Sequence, residues 1–238
     1  MTSRRVAAFV AVAAVDVTWF IVAPHLANIG LWPEILLVSI VVLPATLLLA
    51  LIALPLWHER WIFPAAIVLA LIAFVCAQAG WGLAGNFAKL WAAIFAGWAF
   101  VRLFEELSWV VLVALVIPLV DIISVYRGPT KAITSHHFEV YTAVAIAFVV
   151  PGGAAAYLGP PDVLFYALFL AAAQRFELRV VPTWISMTAM YGLTIVLATA
   201  IHVGGLPALP FLSFGFLAPN ADLLWHRLRR RRPATPPA

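Results

Sequence analysis

Residues 107–126 read LSWVVLVALVIPLVDIISVY, 20 residues interrupted by a single charge, Asp121. A helix needs about 20 residues to cross the hydrocarbon of a bilayer, and this stretch has that length with apolar side chains on every face. Working outward, several blocks of the same kind appear, separated by charges or by Pro and Gly. Of the 238 residues, 65% are hydrophobic and 10% charged, with a mean hydropathy of +1.06. Soluble domains carry roughly 25% charged residues, so this chain cannot cover a water-facing surface. The expected fold is all-α, a polytopic transmembrane helix bundle whose partner is the lipid bilayer.

Reading the apolar runs predicts about eight helices, over 6–23, 35–57, 62–80, 87–104, 107–126, 162–174, 183–203 and 207–225. The first follows Arg4 and Arg5 and is too long for the apolar core of a signal peptide, so it reads as a retained span. Segment 140–150 is apolar but only about half the length of a span and is stopped by Pro151-Gly152-Gly153. Its tail, 144–150, is rich in Val, Ala and Phe and suits a short strand or a re-entrant segment, whereas counting 140–150 as a helix would give nine spans. Charge placement favours eight. Arg4, Arg5, Arg60, Arg102, Arg175, Arg179 and the Arg cluster after helix eight then share one side, with Lys89, Arg127 and Lys131 on the other. The positive-inside rule puts both termini in the cytoplasm. The net charge of +4 thus reflects membrane topology, and no nucleic-acid partner is implied. Most of the ten Trp fall near span ends, where they suit interfacial anchoring. Cys76 stands alone, which excludes an internal disulfide and a thiolate-built zinc site.

Acidic residues inside apolar blocks are the informative ones, since a charge at mid-bilayer costs at least about 2.5 kcal/mol. Asp16, Asp121 and Asp162 stand out. Asp16 is expected to face the bundle interior in a hydrogen-bonding role, with Thr18 nearby. Asp121 lies in the last turns of helix five and Asp162 opens helix six. Consecutive antiparallel spans bring those two to similar depth on one side. Two facing carboxylates in a dry site cannot both stay ionised, so they share a proton. The ionised member can take a proton from water as it attacks a carbonyl, and the other can serve the leaving group. The helix dipole favours Asp162, at a helix start, as the anion and Asp121, near a helix end, as the proton carrier. Buried acids also serve as hydrogen-bonding glue or as proton relays. A third element, Gly204-Gly205-Leu206-Pro207-Ala208-Leu209-Pro210, precedes helix eight. Its prolines donate no backbone hydrogen bonds, so the helix start is partly unwound, which at membrane depth suits a protein- or water-lined cavity. His136 and His137 read as solvated loop residues, and Glu105 and Glu106 as a water-facing helix boundary.

Together these elements resemble the GxGD intramembrane aspartyl proteases, the family of presenilin and signal peptide peptidase, and especially their small prokaryotic members. The resemblance covers about residues 107–217. It rests on Asp121 with the Ile-Ile-Ser-Val-Tyr-Arg that follows it, on Gly159-Pro160-Pro161-Asp162 in place of GxGD, and on Pro207-Ala208-Leu209 as the PAL motif. It implies a catalytic pair Asp121 and Asp162, with Pro207, Ala208, Leu209, Gly159 and Pro161 shaping the substrate site. It also implies a strand at 144–150 that pairs with an unwound substrate, no cofactor and no metal, and transmembrane peptides or proteins as substrates. On this reading residues 1–104 are scaffold, 105–226 carry the catalytic elements, and 227–238 form a basic, Pro-rich tail. The implied location is a prokaryotic cytoplasmic membrane. If one N-terminal helix is missing relative to the family, the orientation resembles signal peptide peptidase, with substrates whose N-terminus is inside. The chain departs from the family at Val120, where Tyr is usual, and at Pro161, where Gly is usual. Other readings of the acids are a non-catalytic scaffold that binds membrane helices and a proton-coupled transporter. Prepilin peptidases usually carry Lys two positions after the second Asp, where this chain has Leu164.

Overall fold

A computed structural model describes residues 2–127, 138–203 and 206–230. His136, His137, Lys131, Gly204, Gly205, Arg231 and Arg232 lie outside the described residues. The apolar blocks are helical because in lipid every backbone N–H and C=O must be satisfied within the segment. Helix α1 spans Ser3–Val22. Helices α2, Leu31–Leu37, and α3, Leu43–Ala53, join through a π-helical turn at Val38–Val42 into one span, Leu31–His58. Pro44, just after that turn, has no N–H to give, which is a common cause of such a bulge. Then come α4, Ile62–Gln78, α5, Gly82–Val101, α6, Leu107–Arg127, and the short α7, Phe138–Val144. A hairpin follows, β1 at Ile146–Val149 and β2 at Ala155–Leu158. The chain ends in α8, Pro160–Arg175, α9, Val180–Ala200, α10, Leu209–Leu217, and α11, Ala221–Arg230.

Among the described residues, five helices are long and apolar enough to cross a membrane: Ser3–His25, Leu31–His58, α5, α6 and α9. Helix α4 is apolar but has 17 residues, α8 has 16 and α10 has 9. Helix α8 is the centre of the bundle. Val163 and every residue from Tyr166 to Ala173 are 0% exposed, so a sheath of protein replaces contact with lipid. The outer faces are apolar too: Val15, Leu71, Phe74, Leu115 and Ile123 are each more than half exposed, as lipid contact requires. The run expected as one helix over 207–225 is divided. Pro219 sits in a 3-10 turn at Ala218–Asn220, and the polar α11 beyond it carries exposed Asp222 and His226.

Close packing relies on small residues. A Cβ on Gly97 of α5 would collide with the Leu164 carbonyl of α8 and sit 3.0 Å from the Leu168 nitrogen. One on Gly215 of α10 would come within 2.8 Å of the Met187 Cα of α9. Phe169 of α8 and Phe216 of α10 stack with centroids 4.8 Å apart. Cys76 is 3% exposed in the core.

Three arginines satisfy carbonyls at or just beyond helix C-termini. Arg102 donates to the Trp57 carbonyl at 2.6 Å and to that of Glu59 at 2.5 Å. Arg175 donates to Val101 at 2.6 Å, and Arg227 to the Phe176 carbonyl. Lys89 instead bonds carbonyls just before β1, and Trp19 near the close of α1 also meets the hairpin. Arg102, Arg175 and Arg227 on one side and Lys89 on the other thus cap backbone at different ends of the bundle.

Outside the spans, Arg179 forms a paired contact with Asp222, at 2.8 and 2.7 Å. Hydrogen bonding from this guanidinium holds the Asp222 carboxyl below the usual carboxylate range. A depressed folded value contributes stability above the unfolded Asp pKa of about 3.9, and the contribution is lost as pH falls through the folded value. Asp222→Asn is expected to lower the thermal midpoint slightly at neutral pH, as fits an exposed pair. The difference should vanish near about pH 2. Thermal scans of both proteins across that range check it.

Candidate active site

Asp121 comes three residues after Pro118, the proline inside α6, which removes a helical hydrogen bond and loosens the last turns of the helix. Its Oδ2 accepts the Leu209 N–H at 3.0 Å, and the Ala208 N–H is also directed at it. Pro207, Ala208 and Leu209 are buried, and Leu209 is the first residue of α10. Asp121 therefore lies near the end of its own helix but at the start of another, where unpaired N–H groups favour negative charge. The dipole of its own helix favours Asp162 as the anion, and the donors at the start of α10 give Asp121 a comparable setting.

Asp162 occupies the third position of α8, after N-cap Gly159 and two prolines. Its Oδ2 accepts the Gly159 N–H at 3.0 Å and closes the capping arrangement. Pro161 falls where the helix has no intrahelical partner for an N–H, so its missing donor costs the helix nothing. A Cβ on Gly159 would sit 3.2 Å from Asp162 Oδ2, so the glycine makes room for the carboxylate. Tyr191 of α9, itself 0% exposed, donates its hydroxyl to the Asp162 carbonyl at 2.6 Å and pins the helix start from behind.

The two acids lie within electrostatic reach, for the Asp121 charge acts on Asp162. They arrive by different routes. Helix α6 packs chiefly on α10, and α8 chiefly on α5. The meeting of Asp121, Asp162 and the Pro207-Ala208-Leu209 segment is thus a product of the whole bundle, not of one helical hairpin.

The hairpin leads straight into this site. β1 and β2 pair antiparallel with Ile146 opposite Leu158 and Val149 opposite Ala155. The reversal uses Gly152 and Gly153 at φ 83° and 84°, a conformation glycine adopts without penalty. The strand expected at 144–150 is present as β1. Its partner β2 lies in the stretch read as part of a wet loop, where nothing but Tyr157 hints at a strand. Tyr141 of α7 packs edge-on to Tyr157, with centroids 6.3 Å apart. Burial first, then the Asp162 charge, pushes the Tyr141 hydroxyl up to about 12. Tyr141 is therefore a protonated phenol near the dyad that sequence reading did not single out. Val120 is 52% exposed.

Asp16 is 6% exposed and faces inward as expected, but its hydrogen-bond partner is Thr46. Thr18 is exposed, because two residues along a helix turn to a different face. Glu105 and Glu106 are exposed at the start of α6. Among the described residues, no three His, Cys, Asp or Glu side chains cluster to hold a metal ion. Neither a family model, nor a characterised protein, nor a solved structure matches this chain.

Proposed function

We propose that the protein is an intramembrane aspartyl protease of the GxGD type, hydrolysing peptide bonds of transmembrane substrates with the dyad of Asp121 and Asp162. One observation carries the reading: two carboxylates from separate helices lie within electrostatic reach of each other, and one of them, Asp121, accepts the backbone N–H groups of Ala208 and Leu209. A proton relay would have no need of that third element.

The chemistry follows from one proton shared by two carboxyl groups. Water attacks the scissile carbonyl carbon and gives a proton to the ionised carboxylate, while the protonated carboxyl donates to the carbonyl oxygen. The tetrahedral intermediate collapses with cleavage of the C–N bond: the nitrogen takes a proton from the dyad while one hydroxyl of the intermediate returns a proton to it, which restores the shared proton. Backbone donors at both acids hold their oxygens in place, so the dyad acts as one coupled unit. The Tyr141 hydroxyl and Gly159 border it.

Two features support a membrane-helix substrate. A groove of about 1000 Å³ runs between α4 and α5, walled by Ala66, Ala70, Ala73, Ala96 and Ala99, and reaches Pro160 and Pro161 beside Asp162. Small residues permit the close helix approach that drives association in lipid. In addition, β2 continues directly into Gly159 and Asp162, so a substrate unwound beside β2 would add a strand next to the dyad. The outer edge of β1 is already taken by side chains, which moves the expected pairing from 144–150 to β2. In a prokaryotic cytoplasmic membrane, the arginine-rich end of the bundle and both termini face the cytoplasm.

The test is cleavage of a reporter membrane helix by purified protein in detergent. Cleavage that a hydroxyl-containing transition-state mimic blocks is the expected outcome. Wild-type protein that stays folded yet cuts no reporter would instead favour a helix-binding scaffold.

A further inference from the structure

Side chains from two N-terminal helices, in place of a third strand, occupy the outer edge of β1. The Val150 N–H bonds the Ala154 carbonyl, so by alternation Ala147 and Val149 turn their backbone groups away from β2. Asn86 of α5 makes both bonds of a strand peptide to Ala147. The Ala147 N–H donates to Oδ1 at 2.7 Å, and Nδ2 donates to the Ala147 carbonyl at 3.0 Å. One turn on, Lys89 Nζ donates to the carbonyls of Ala145 at 2.5 Å and Ala143 at 3.2 Å. From α1, Trp19 Nε1 donates to the Val149 carbonyl at 2.9 Å. The carbonyls of 145, 147 and 149 are thus met in turn, at the two-residue period of a strand.

This contact selects one register. Sliding β1 by a residue turns the outward groups to the opposite edge, and an amide bonded to both groups of Ala147 does not follow. Asn86 is 6% exposed, so little water competes for its bonds. The hairpin register ties β1 to β2, and only Gly159, Pro160 and Pro161 separate Leu158 from Asp162. Two prolines with fixed φ leave little slack in that link.

We propose that Asn86 is a positioning residue for proteolysis. It fixes the height of the hairpin along the strand direction, and with it the register of an extended substrate against Asp162. This rests on the protease reading above, which supplies the reaction being positioned.

The experiment compares wild type with Asn86→Leu, which removes both bonds, by hydrogen exchange of the hairpin amides and by mass spectrometry of the reporter products. Exchange across residues 146–158 is expected to rise about tenfold, the effect of losing two modest hydrogen bonds. Cleavage should spread from one dominant peptide bond to its neighbours. A lower rate at an unchanged cut position would mean a merely structural role and overturn the proposal, as would unchanged hairpin exchange. Where Asn86→Leu fails to fold, Asn86→Asp and Trp19→Phe each alter a single bond to β1 and carry the same test. Wild type that cleaves nothing would remove the protease reading and the positioning role with it, whereas failure of the Asn86 variants alone leaves that reading intact.

Discussion

Asp162→Asn is expected to abolish reporter cleavage, with a loss of at least about a thousandfold in rate, while the protein remains folded and monodisperse. Asparagine keeps the shape and can still accept the Gly159 N–H through its amide oxygen, so the start of α8 should survive. What it cannot do is exchange a proton with water or with the leaving nitrogen. Asp121→Asn should fail equally, since the Leu209 and Ala208 N–H groups can bond an amide oxygen as they bond the carboxylate. The double variant should be no worse than either single one, because residues that act as a unit are not additive. Quantitative product analysis over long incubation measures all three. Cleavage persisting in both single variants would remove the dyad from the mechanism.

Gly97→Ala should be among the most destabilising single methyl additions in the chain. In an exposed helix the same change is favourable by up to about 1 kcal/mol, because alanine is the better helix former. Here the new methyl would meet the Leu164 carbonyl and the Leu168 nitrogen, which are backbone atoms of the central helix and cannot rotate away. Overpacking of this kind costs about 1–3 kcal/mol or more, so the sign reverses. Gly82→Ala, at the first residue of α5 with nothing within 4 Å of the added Cβ, is the control and should be neutral or slightly stabilising. Thermal unfolding of both in the same detergent makes the comparison. Equal midpoints would mean that α5 and α8 do not approach as closely as Gly97 allows. Because α8 carries Asp162, the clash should also lower cleavage in whatever fraction remains folded.

Much of the architecture was legible from composition. Residues such as Phe74, Leu115 and Ile123 lie on exposed surfaces because the chain has no polar alternative to put there, and the apolar runs gave helices close to their expected bounds. Misplaced ends have local causes. Helix α5 begins at Gly82, five residues before the expected start, because Gly80 and Trp81 already complete the turn from α4. The run expected over 207–225 divides at Pro219, beyond which the residues are more polar. Asp121, Asp162 and the Pro207-Ala208-Leu209 segment were also visible in the sequence, since charge and proline inside apolar runs are costly enough to stand out. Asn86, Tyr141 and Tyr191 were not. Each is an ordinary residue at its own position and takes on a role only from a neighbour 61 residues away, as between Asn86 and Ala147, or 29 residues away, as between Tyr191 and Asp162.

By itself, then, the sequence determined that most of the chain is apolar helix: 10% charged residues suit a bilayer as the medium, and in that medium a spanning backbone must bond to itself as helix. The tertiary structure decided which backbone N–H groups reach Asp121, which helix is sheathed at the centre, and that the outer edge of β1 is closed by Asn86. Those outcomes depend on distances between segments far apart in the chain. Hydropathy is a sum over local residues and carries no record of which helix faces which.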